Sequence, residues 1–286
     1  MLSKSLTAEL RFAMFQPYLV RHALFCLWAK LEPKAAMHLC ESFVSFRCLQ
    51  PQDELFQAET LANHAFFLTS GVMKYGIPGT AARLDVRWDV RDERWISEAA
   101  LWTHWVHLGT AVANTHCQLL AMSAEGVVET MKRHTLIEDI TDAYAIIFHS
   151  RLVASCDPEN FALPTDDGVP STGFEGIVRS MPKELQMEIA RRMLYQDSSS
   201  WFSQRHTHLA NFLDEVVLGR TIVLPNAAGE AERVMFQVEL EIQAHSVDVP
   251  ELNGCILVQI ATLCGGEVVP QCRRPWASLT RGKTAQ

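Results

Sequence analysis

The first 43 residues carry apolar side chains at the three- and four-residue spacing of α-helices. The clearest set consists of Val20, Ala23, Leu24, Leu27 and Trp28. An earlier set consists of Leu6, Leu10 and Met14, and we expect Pro17 to interrupt that helix because proline lacks a backbone donor and clashes with the preceding turn. Pro33 suits the first turn of a third helix. The pattern therefore predicts three short helices over residues 1–43.

Over residues 44–122 the apolar period falls to two, with Gly71, Gly76 and the Pro78-Gly79 pair as punctuation. The alternation is clearest where charged and apolar residues take turns: Arg83, Leu84, Asp85, Val86, Arg87, Trp88, Asp89 and Val90. Strands with one face in water and the other buried are typical of an antiparallel jelly roll. We therefore predict such a roll over residues 44–133.

A fourth helix is predicted over residues 134–155. Thr135 and Glu138 have the spacing of a capping box. An apolar stripe follows at Ile137, Ile140, Tyr144, Ile147 and Phe148. Helices on either side of an antiparallel roll place the chain in the α+β class.

Residues 156–176 are rich in Pro, Gly, Asp and Ser, which predicts a linker with a domain boundary inside it. We expect the Asp166-Asp167 pair in this linker to be solvated and not to form a general acid and base. Residues 177–286 predict a smaller region of helices and a β-hairpin. Its apolar helical positions are Leu185, Ile189, Met193, Leu209, Phe212, Leu213, Val216 and Val217. Alternating residues at 234–243, a turn at Asn253-Gly254 and a return at 255–263 predict the hairpin.

Composition excludes several classes of function. A formal net charge of -8 over 286 residues, with the basic residues scattered, argues against a nucleic-acid partner. The eight cysteines form no Cys-x-x-Cys pair, which favours reduced, cytosolic thiols. The spacing of Cys255, Cys264 and Cys272 does not suit zinc, and His206 and His208 suit a solvated helix face, so we expect no metal. Catalytic motifs of hydrolases, nucleotide-triphosphate-binding enzymes and zinc proteases are absent from the sequence, and we expect no enzyme.

The stretch 95–112 contains a short Glu98-Ala99-Ala-Leu-Trp turn and, nine residues after the Glu, His107 followed by Leu108-Gly109-Thr110-Ala111. It resembles the phosphate-binding cassette of cyclic-nucleotide-binding domains. The resemblance implies that Glu98 takes the ribose hydroxyl and that the position of His107 contacts the cyclic phosphate, where the family has Arg. The ligand-binding candidates are Glu98, Ala99, His107, Gly109 and Thr110.

The flanks of the cassette follow the order of the same family. The turn and strand segments 53–56, 65–71 and 117–122 resemble its strands, and the helix 123–131 resembles the one that follows its last strand. Gln52, Glu59 and Ser97 stand where the family usually has glycine.

The residues of the cassette predict weak or absent binding of cAMP or cGMP, and no other cofactor. A bidentate Arg is replaced by His107, which offers one donor when neutral, and a charge-assisted hydrogen bond is worth about 1.5 to 3 kcal/mol. Trp102 and Trp105 add bulk where the family keeps small residues. Backbone amides near Gly109 and Thr110 remain as phosphate donors. Alternatively, Glu98 only ties the cassette turn to its own backbone.

The helical segment 6–43 resembles the end of the C-linker of ether-à-go-go and cyclic-nucleotide-gated ion channels, with the protist, dinoflagellate-type cassette as the nearest variant. The resemblance implies a cytoplasmic regulatory region, at the inner face of a membrane, that modulates gating of a voltage-gated potassium or cation channel. Its partner would be the transmembrane region or a parent channel subunit, in a homo-tetramer. In such proteins the helix after the roll lies across the nucleotide pocket; the alternative is that it only packs on the roll. A start inside a linker predicts a piece of a longer gene product.

A second function stays open from the sequence. The chain would be a soluble cyclic-nucleotide sensor or scaffold, similar to a kinase regulatory subunit and acting on a separate partner. One roll and no inhibitory basic segment favour the channel interpretation.

Overall fold

Three helices open the chain, as predicted: α1 (Lys4–Leu19), α2 (Ala23–Leu31) and α3 (Pro33–Ser42). The computed structural model describes residues 3–79, 86–91, 93–157, 163–196, 213–226, 229–235, 238–239, 259–264, 267–273 and 276–277. Leu24, Leu27 and Trp28 of α2 are fully buried, which confirms the predicted face of this helix.

The expected interruption at Pro17 is wrong, because α1 continues through it to Leu19. A proline this close to the end of a helix removes only one hydrogen bond, and the amide of Val20 still donates to the carbonyl of Gln16 at 3.0 Å. The Leu6, Leu10 and Met14 stripe does share one face of α1, but the three side chains are 46 to 50% exposed.

The roll contains two four-stranded antiparallel sheets and one short two-stranded pair. Its strands are β1 (Val44–Leu49), β2 (Glu54–Phe56), β3 (Leu61–Ala62), β4 (His64–Ser70), β5 (Val72–Ile77), β6 (Val86–Arg91), β7 (Arg94–Ile96), β8 (Trp105–Val106), β9 (Thr110–Ala113) and β10 (Cys117–Ser123). The sheets have the orders β1-β10-β4-β7 and β2-β9-β5-β6, and β3 pairs with β8. A short helix, α4 (Ala99–Trp102), interrupts the strands, and α5 (Ala124–Met131) follows the last one. The predicted α+β class with an antiparallel jelly roll is confirmed.

Apolar side chains from both four-stranded sheets fill the inside of the roll, among them Phe66, Leu119, Met73 and Tyr75. Their alternation with exposed residues follows the two-residue period of strands. In β6, Arg87 and Asp89 are exposed and Val90 is buried, as predicted, while residues 83–85 lie outside the described part of the chain.

The long helix α6 (Thr135–Ser155) buries Ile137, Ile140, Tyr144 and Phe148, as the apolar stripe predicts. The predicted capping box is wrong, because the N-cap residue is His134 and Thr135 already lies in the first turn. Glu138 reaches this cap only through its backbone amide, which donates to the carbonyl of His134 at 2.9 Å.

The later region contains α7 (Phe174–Ser180), α8 (Lys183–Gln196), β11 (Thr221–Pro225), β12 (Ala231–Met235), β13 (Val238–Glu239), β14 (Gln259–Cys264), β15 (Glu267–Arg273) and β16 (Trp276–Ala277). Residues 213–217 are also helical. The predicted pairing of 234–243 with 255–263 is wrong where it can be followed. Val234 pairs with Ile222, and β14 pairs with β15. Residues 209 and 253–254 lie outside the described part.

One cluster of buried side chains extends across the predicted linker. It joins Trp28 of α2 and Phe148 of α6 to Ile177, Ile189 and Val223 of the later elements. The helical part before the roll therefore shares its core with α7, α8 and β11.

Candidate ligand site

The cassette begins after β7 with a backbone turn that glycine would normally occupy. Ser97 has φ 60°, and the other two positions where glycine was expected, Gln52 and Glu59, have φ values of 74° and 65°. This left-handed region is unfavourable for residues with a Cβ atom. The three turns thus adopt a backbone conformation that favours glycine, although none of the three residues is glycine.

A carboxylate from the predicted linker occupies the centre of the cassette. Residues 165 to 168 form a tight turn in which the amide of Thr165 donates to the carbonyl of Gly168 at 2.9 Å. Asp166 lies at its tip, and its side chain has no exposed surface. The expectation that Asp166 is solvated is therefore wrong, since the turn folds back onto the roll.

Five donors surround the carboxylate of Asp166. Its Oδ1 accepts from Trp105 Nε1 at 2.8 Å and from His107 Nδ1 at 2.7 Å. Its Oδ2 accepts from the Tyr75 hydroxyl at 2.7 Å and from the amides of Leu108 and Gly109 at 2.8 and 3.1 Å. Both oxygens are thus saturated by donors of the roll.

Further contacts fix the segment 163–168, which we call the latch. The backbone carbonyl of Asp166 accepts from the amide of Ser97 at 2.6 Å. Asp167 accepts from Trp88 Nε1 at 3.1 Å and lies 3.4 Å from the Arg94 guanidinium. The latch is therefore bound through its backbone and through both of its carboxylates.

The pKa values of the groups around Asp166 follow from burial and hydrogen bonding. Burial raises the pKa of Asp166, but hydrogen bonds from His107, Trp105 and Tyr75 outweigh it and bring the pKa below its usual value of 3.8. Burial and the neighbouring charge of Asp166 both raise the pKa of Tyr75. Asp166 is consequently ionised and Tyr75 protonated at neutral pH.

His107 is held in one orientation by two contacts. Its ring stacks on Phe56 with the centroids 3.7 Å apart and the planes 4° from parallel. The bond to the Asp166 carboxylate requires the proton on Nδ1, because an ionised carboxylate only accepts. The side chain of His107 is 5% exposed, whereas His104 and His116 are exposed.

Glu98 has a different set of partners. Its Oε1 accepts from His22 Nε2 at 3.0 Å, from Trp102 Nε1 at 3.1 Å and from the Tyr144 hydroxyl at 3.1 Å. Burial raises the pKa of Glu98, but His22 and the hydrogen bonds from Trp102 and Tyr144 outweigh it and lower the pKa below 4.5. Glu98 therefore joins the start of α2, the helix α4 and the helix α6, a wider tie than the one to its own backbone considered above.

The structure brings together only part of the predicted site. His107 and Gly109 both donate to Asp166, and Gly109 has to be glycine, since a Cβ there would lie 2.5 Å from Tyr75 Cζ. Thr110 accepts through its hydroxyl from the amide of Ala58 at 3.1 Å, and Ala99 is buried in α4. Glu98 and His107 have no hydrogen-bond partner in common in the described part of the chain. That these five residues bind a ligand stays a prediction.

Sequence reasoning missed three residues of this site. The sequence analysis considered Trp105 only for its bulk and Asp166 only as a solvated linker residue, and it did not single out Tyr75. One local signal was available for Asp166, because Thr165-Asp-Asp-Gly168 has the composition of a tight turn that presents its central residues. The residues of the turn do not, however, indicate which other part of the chain it binds.

A cavity of about 530 Å³ lies beside the latch. It is bordered by His107, Val106 and Leu108 of the cassette and by Leu163, Pro164 and Thr165 of the latch.

Among the residues that the structure describes, no group of three or more His, Cys, Asp or Glu side chains is placed to hold a metal ion. Within the same residues, no helix combines the length and apolar character that a membrane crossing requires.

Comparisons with known proteins found similarity to solved structures. No protein-family model matches the sequence, and no curated protein matches it. A solved cyclic nucleotide-binding-like protein from Brucella abortus bv. 1 str. 9-941 is 20% identical over 37% of this chain and 90% of its own, with a TM-score of 0.32. The sensor domain of the transcriptional regulator DNR from Pseudomonas aeruginosa is 19% identical over 54% of this chain and 99% of its own, with a TM-score of 0.39.

A structure of the C-linker/CNBHD of zELK channels is 18% identical over 35% of this chain, with a TM-score of 0.29, and this chain spans 54% of it. At such low identities and scores, the assignment of the roll rests on the strand order and register of this chain itself. The chain contains an antiparallel jelly roll, and the carboxylate of its own Asp166 is bound within the segment 95–112.

Proposed function

We propose that this chain is a regulatory, non-catalytic domain that works with its own latch in place of a cyclic nucleotide. The observation that carries the proposal is the Asp166 carboxylate, which accepts from His107 and from the amides of Leu108 and Gly109. Two of these donors, His107 and the amide of Gly109, are groups that the resemblance assigns to the cyclic phosphate. A cyclic nucleotide would have to displace a fully buried, ionised side chain before it could bind.

Calorimetry of the full chain with cAMP and with cGMP tests this proposal. We expect no binding at micromolar concentration, because the donors are already occupied. Hydrogen exchange gives an independent readout, since the amides of Ser97, Leu108 and Gly109 donate to Asp166 and should exchange slowly. A micromolar dissociation constant, or fast exchange at these three amides, would contradict the proposal.

The domain needs a route by which the state of the roll reaches a partner. His22, at the start of α2, lies 3.0 Å from Glu98 beside the cassette helix α4, and Tyr144 of α6 binds the same oxygen. The helices before and after the roll are thus joined at one carboxylate. This supports a reporting role for α6 and for the helices that precede the roll.

For the partner, we propose the transmembrane region of a voltage-gated potassium or cation channel, with this domain at the cytoplasmic face and modulating gating. The three helices before the roll and their contact with Glu98 support that arrangement. A tetramer of the isolated chain in analytical ultracentrifugation, and transmembrane helices encoded upstream of Met1, are the expected results. A monomer with no such upstream segment would favour the second candidate, a soluble sensor or scaffold.

A further inference from the structure

The donors around Asp166 form a receptor of defined chemistry. They comprise two ring N–H groups, one phenolic hydroxyl and two backbone amides, and none of them belongs to a lysine or an arginine. The Arg94 guanidinium contacts Asp167 and is not among the donors to Asp166. We propose that this site is a carboxylate receptor, which binds a small organic monocarboxylate when the Asp166 side chain is absent and discriminates against cyclic phosphate. The inference rests on the proposed function and specifies the ligand class of the same site.

Charge supports a carboxylate over a phosphate. A carboxylate spreads one negative charge over two oxygens, and each oxygen here meets at least two donors. Tight phosphate recognition usually adds a guanidinium or ammonium group, which provides charge as well as hydrogen bonds. The donors to Asp166 in the described part of the chain give complete coordination to a carboxylate, and none of them is a lysine or an arginine that would suit a phosphate.

Space supports the same conclusion. The ring of Phe56 lies 3.7 Å from that of His107, and Tyr75 approaches Gly109 so closely that a Cβ atom would not fit. Trp105 is 7% exposed and covers the carboxylate from another side. The space between these groups is occupied by the Asp166 side chain, which is a CH₂–COO⁻ group. Replacing Asp166 by glycine therefore leaves a void of the size and polarity of acetate.

The test uses the full chain carrying Asp166→Gly, with thermal unfolding followed in 100 mM sodium acetate and in sodium chloride of equal ionic strength. We expect acetate to raise the Tm of this variant by about 3–8 °C relative to chloride, the range for a ligand present well above its dissociation constant. Phosphate at equal ionic strength and 1 mM cAMP should leave the Tm within about 1 °C of the chloride value on the same scale.

Two matched chains separate site occupancy from general salt effects. The natural chain should show no acetate-specific shift, because Asp166 fills the site. Asp167→Gly changes the neighbouring carboxylate of the same turn, which faces Trp88 and Arg94, and should also show none. An acetate shift of equal size in all three chains would overturn the proposal.

If Asp166→Gly does not fold in chloride, its recovery of folded protein is compared after refolding in acetate, chloride and phosphate. Recovery specific to acetate supports the receptor. The smaller void of Asp166→Ala should then favour formate over acetate. Equal or better rescue by phosphate or cAMP, or no rescue by either carboxylate in both variants, overturns the carboxylate assignment. These outcomes differ from failure of the proposed function, which is read in the natural chain from cAMP binding and from exchange of the Ser97, Leu108 and Gly109 amides.

Discussion

Two ionised carboxylates lie within the cassette, and they differ in how completely the protein surrounds them. Asp166 accepts five hydrogen bonds through both oxygens and has no exposed side-chain surface. Glu98 accepts three through one oxygen and keeps 29% of its side-chain surface exposed. Asp166 belongs to the latch and binds donors of the roll. Glu98 belongs to the roll and binds residues at the start of the helix α2 and within α6.

The difference is the basis of the proposal that this cassette works without a nucleotide. Glu98, which the resemblance assigns to the ribose, instead accepts hydrogen bonds from His22 and Tyr144. The Asp166 carboxylate binds His107, the residue that the resemblance assigns to the phosphate. Each of the two tryptophans expected to obstruct a ligand donates to one of these carboxylates. The bulk of Trp102 and Trp105 is therefore part of the internal contacts of the domain.

Removing Asp166 should give the largest effect. Asp166→Ala leaves buried donors on Tyr75, Trp105 and His107 without an acceptor, and we expect a loss of about 3–4 kcal/mol in the free energy of unfolding. Urea denaturation measures it. Asp167→Ala is the control and should cost about 1 kcal/mol or less, because the Arg94 partner is largely solvated. Equal losses for the two variants would mean that the latch is not held by Asp166.

Glu98 should come second. We expect Glu98→Ala to lower the free energy of unfolding by about 2 kcal/mol, since fewer donors are left unpaired and the group is partly solvated. Glu98→Gln keeps an acceptor oxygen for Trp102 and Tyr144 and should cost about half as much. The same denaturation experiment reads both. A larger loss for Glu98→Ala than for Asp166→Ala would reverse the proposed ranking of the two carboxylates.

Acidification should affect both groups in the same direction. The folded-state pKa of each lies below its unfolded value, 3.8 for Asp166 and 4.5 for Glu98. Such a group stabilises the folded state above the unfolded pKa and loses that contribution as the pH falls through the folded pKa. The free energy of unfolding should thus decrease as the pH falls below about 4.5, and less steeply in Asp166→Ala. An identical slope in both chains would contradict the assignment to Asp166.

The smallest effect concerns Ser97, whose amide binds the latch and whose next residue is Glu98. Its φ of 60° is left-handed, and its buried hydroxyl has no hydrogen-bond partner among the described residues. Ser97→Gly should therefore raise the free energy of unfolding by about 1 kcal/mol, as strain and an unpaired group are removed. Ser171→Gly, at φ 62° with an exposed side chain, relieves only the backbone and should gain less. An unchanged free energy of unfolding in Ser97→Gly would contradict the assignment of strain to this residue.

The helices and strands could be predicted from the sequence because each depends on the spacing of nearby apolar residues. Burial of one helix face, as in Leu24, Leu27 and Trp28, follows from a spacing of three and four residues, and the strands of the roll follow from alternation. The resemblance to cyclic-nucleotide-binding domains marked Gln52, Glu59 and Ser97 as positions where glycine is usual, and their backbones are left-handed. The same patterns could not say that the stripe of α1 would be exposed, since periodicity defines a face and not what covers it.

The sequence by itself determined the α+β class and the roll, because each depends on neighbours a few residues apart, and the resemblance to a known family located the cassette. Only the tertiary structure decided what fills the cassette. Asp166 is 59 residues from His107 and 91 from Tyr75 along the chain, and a turn of polar residues has no period that points to a distant partner. A buried carboxylate needs donors from several elements at once, and those donors converge only after the two sheets have closed.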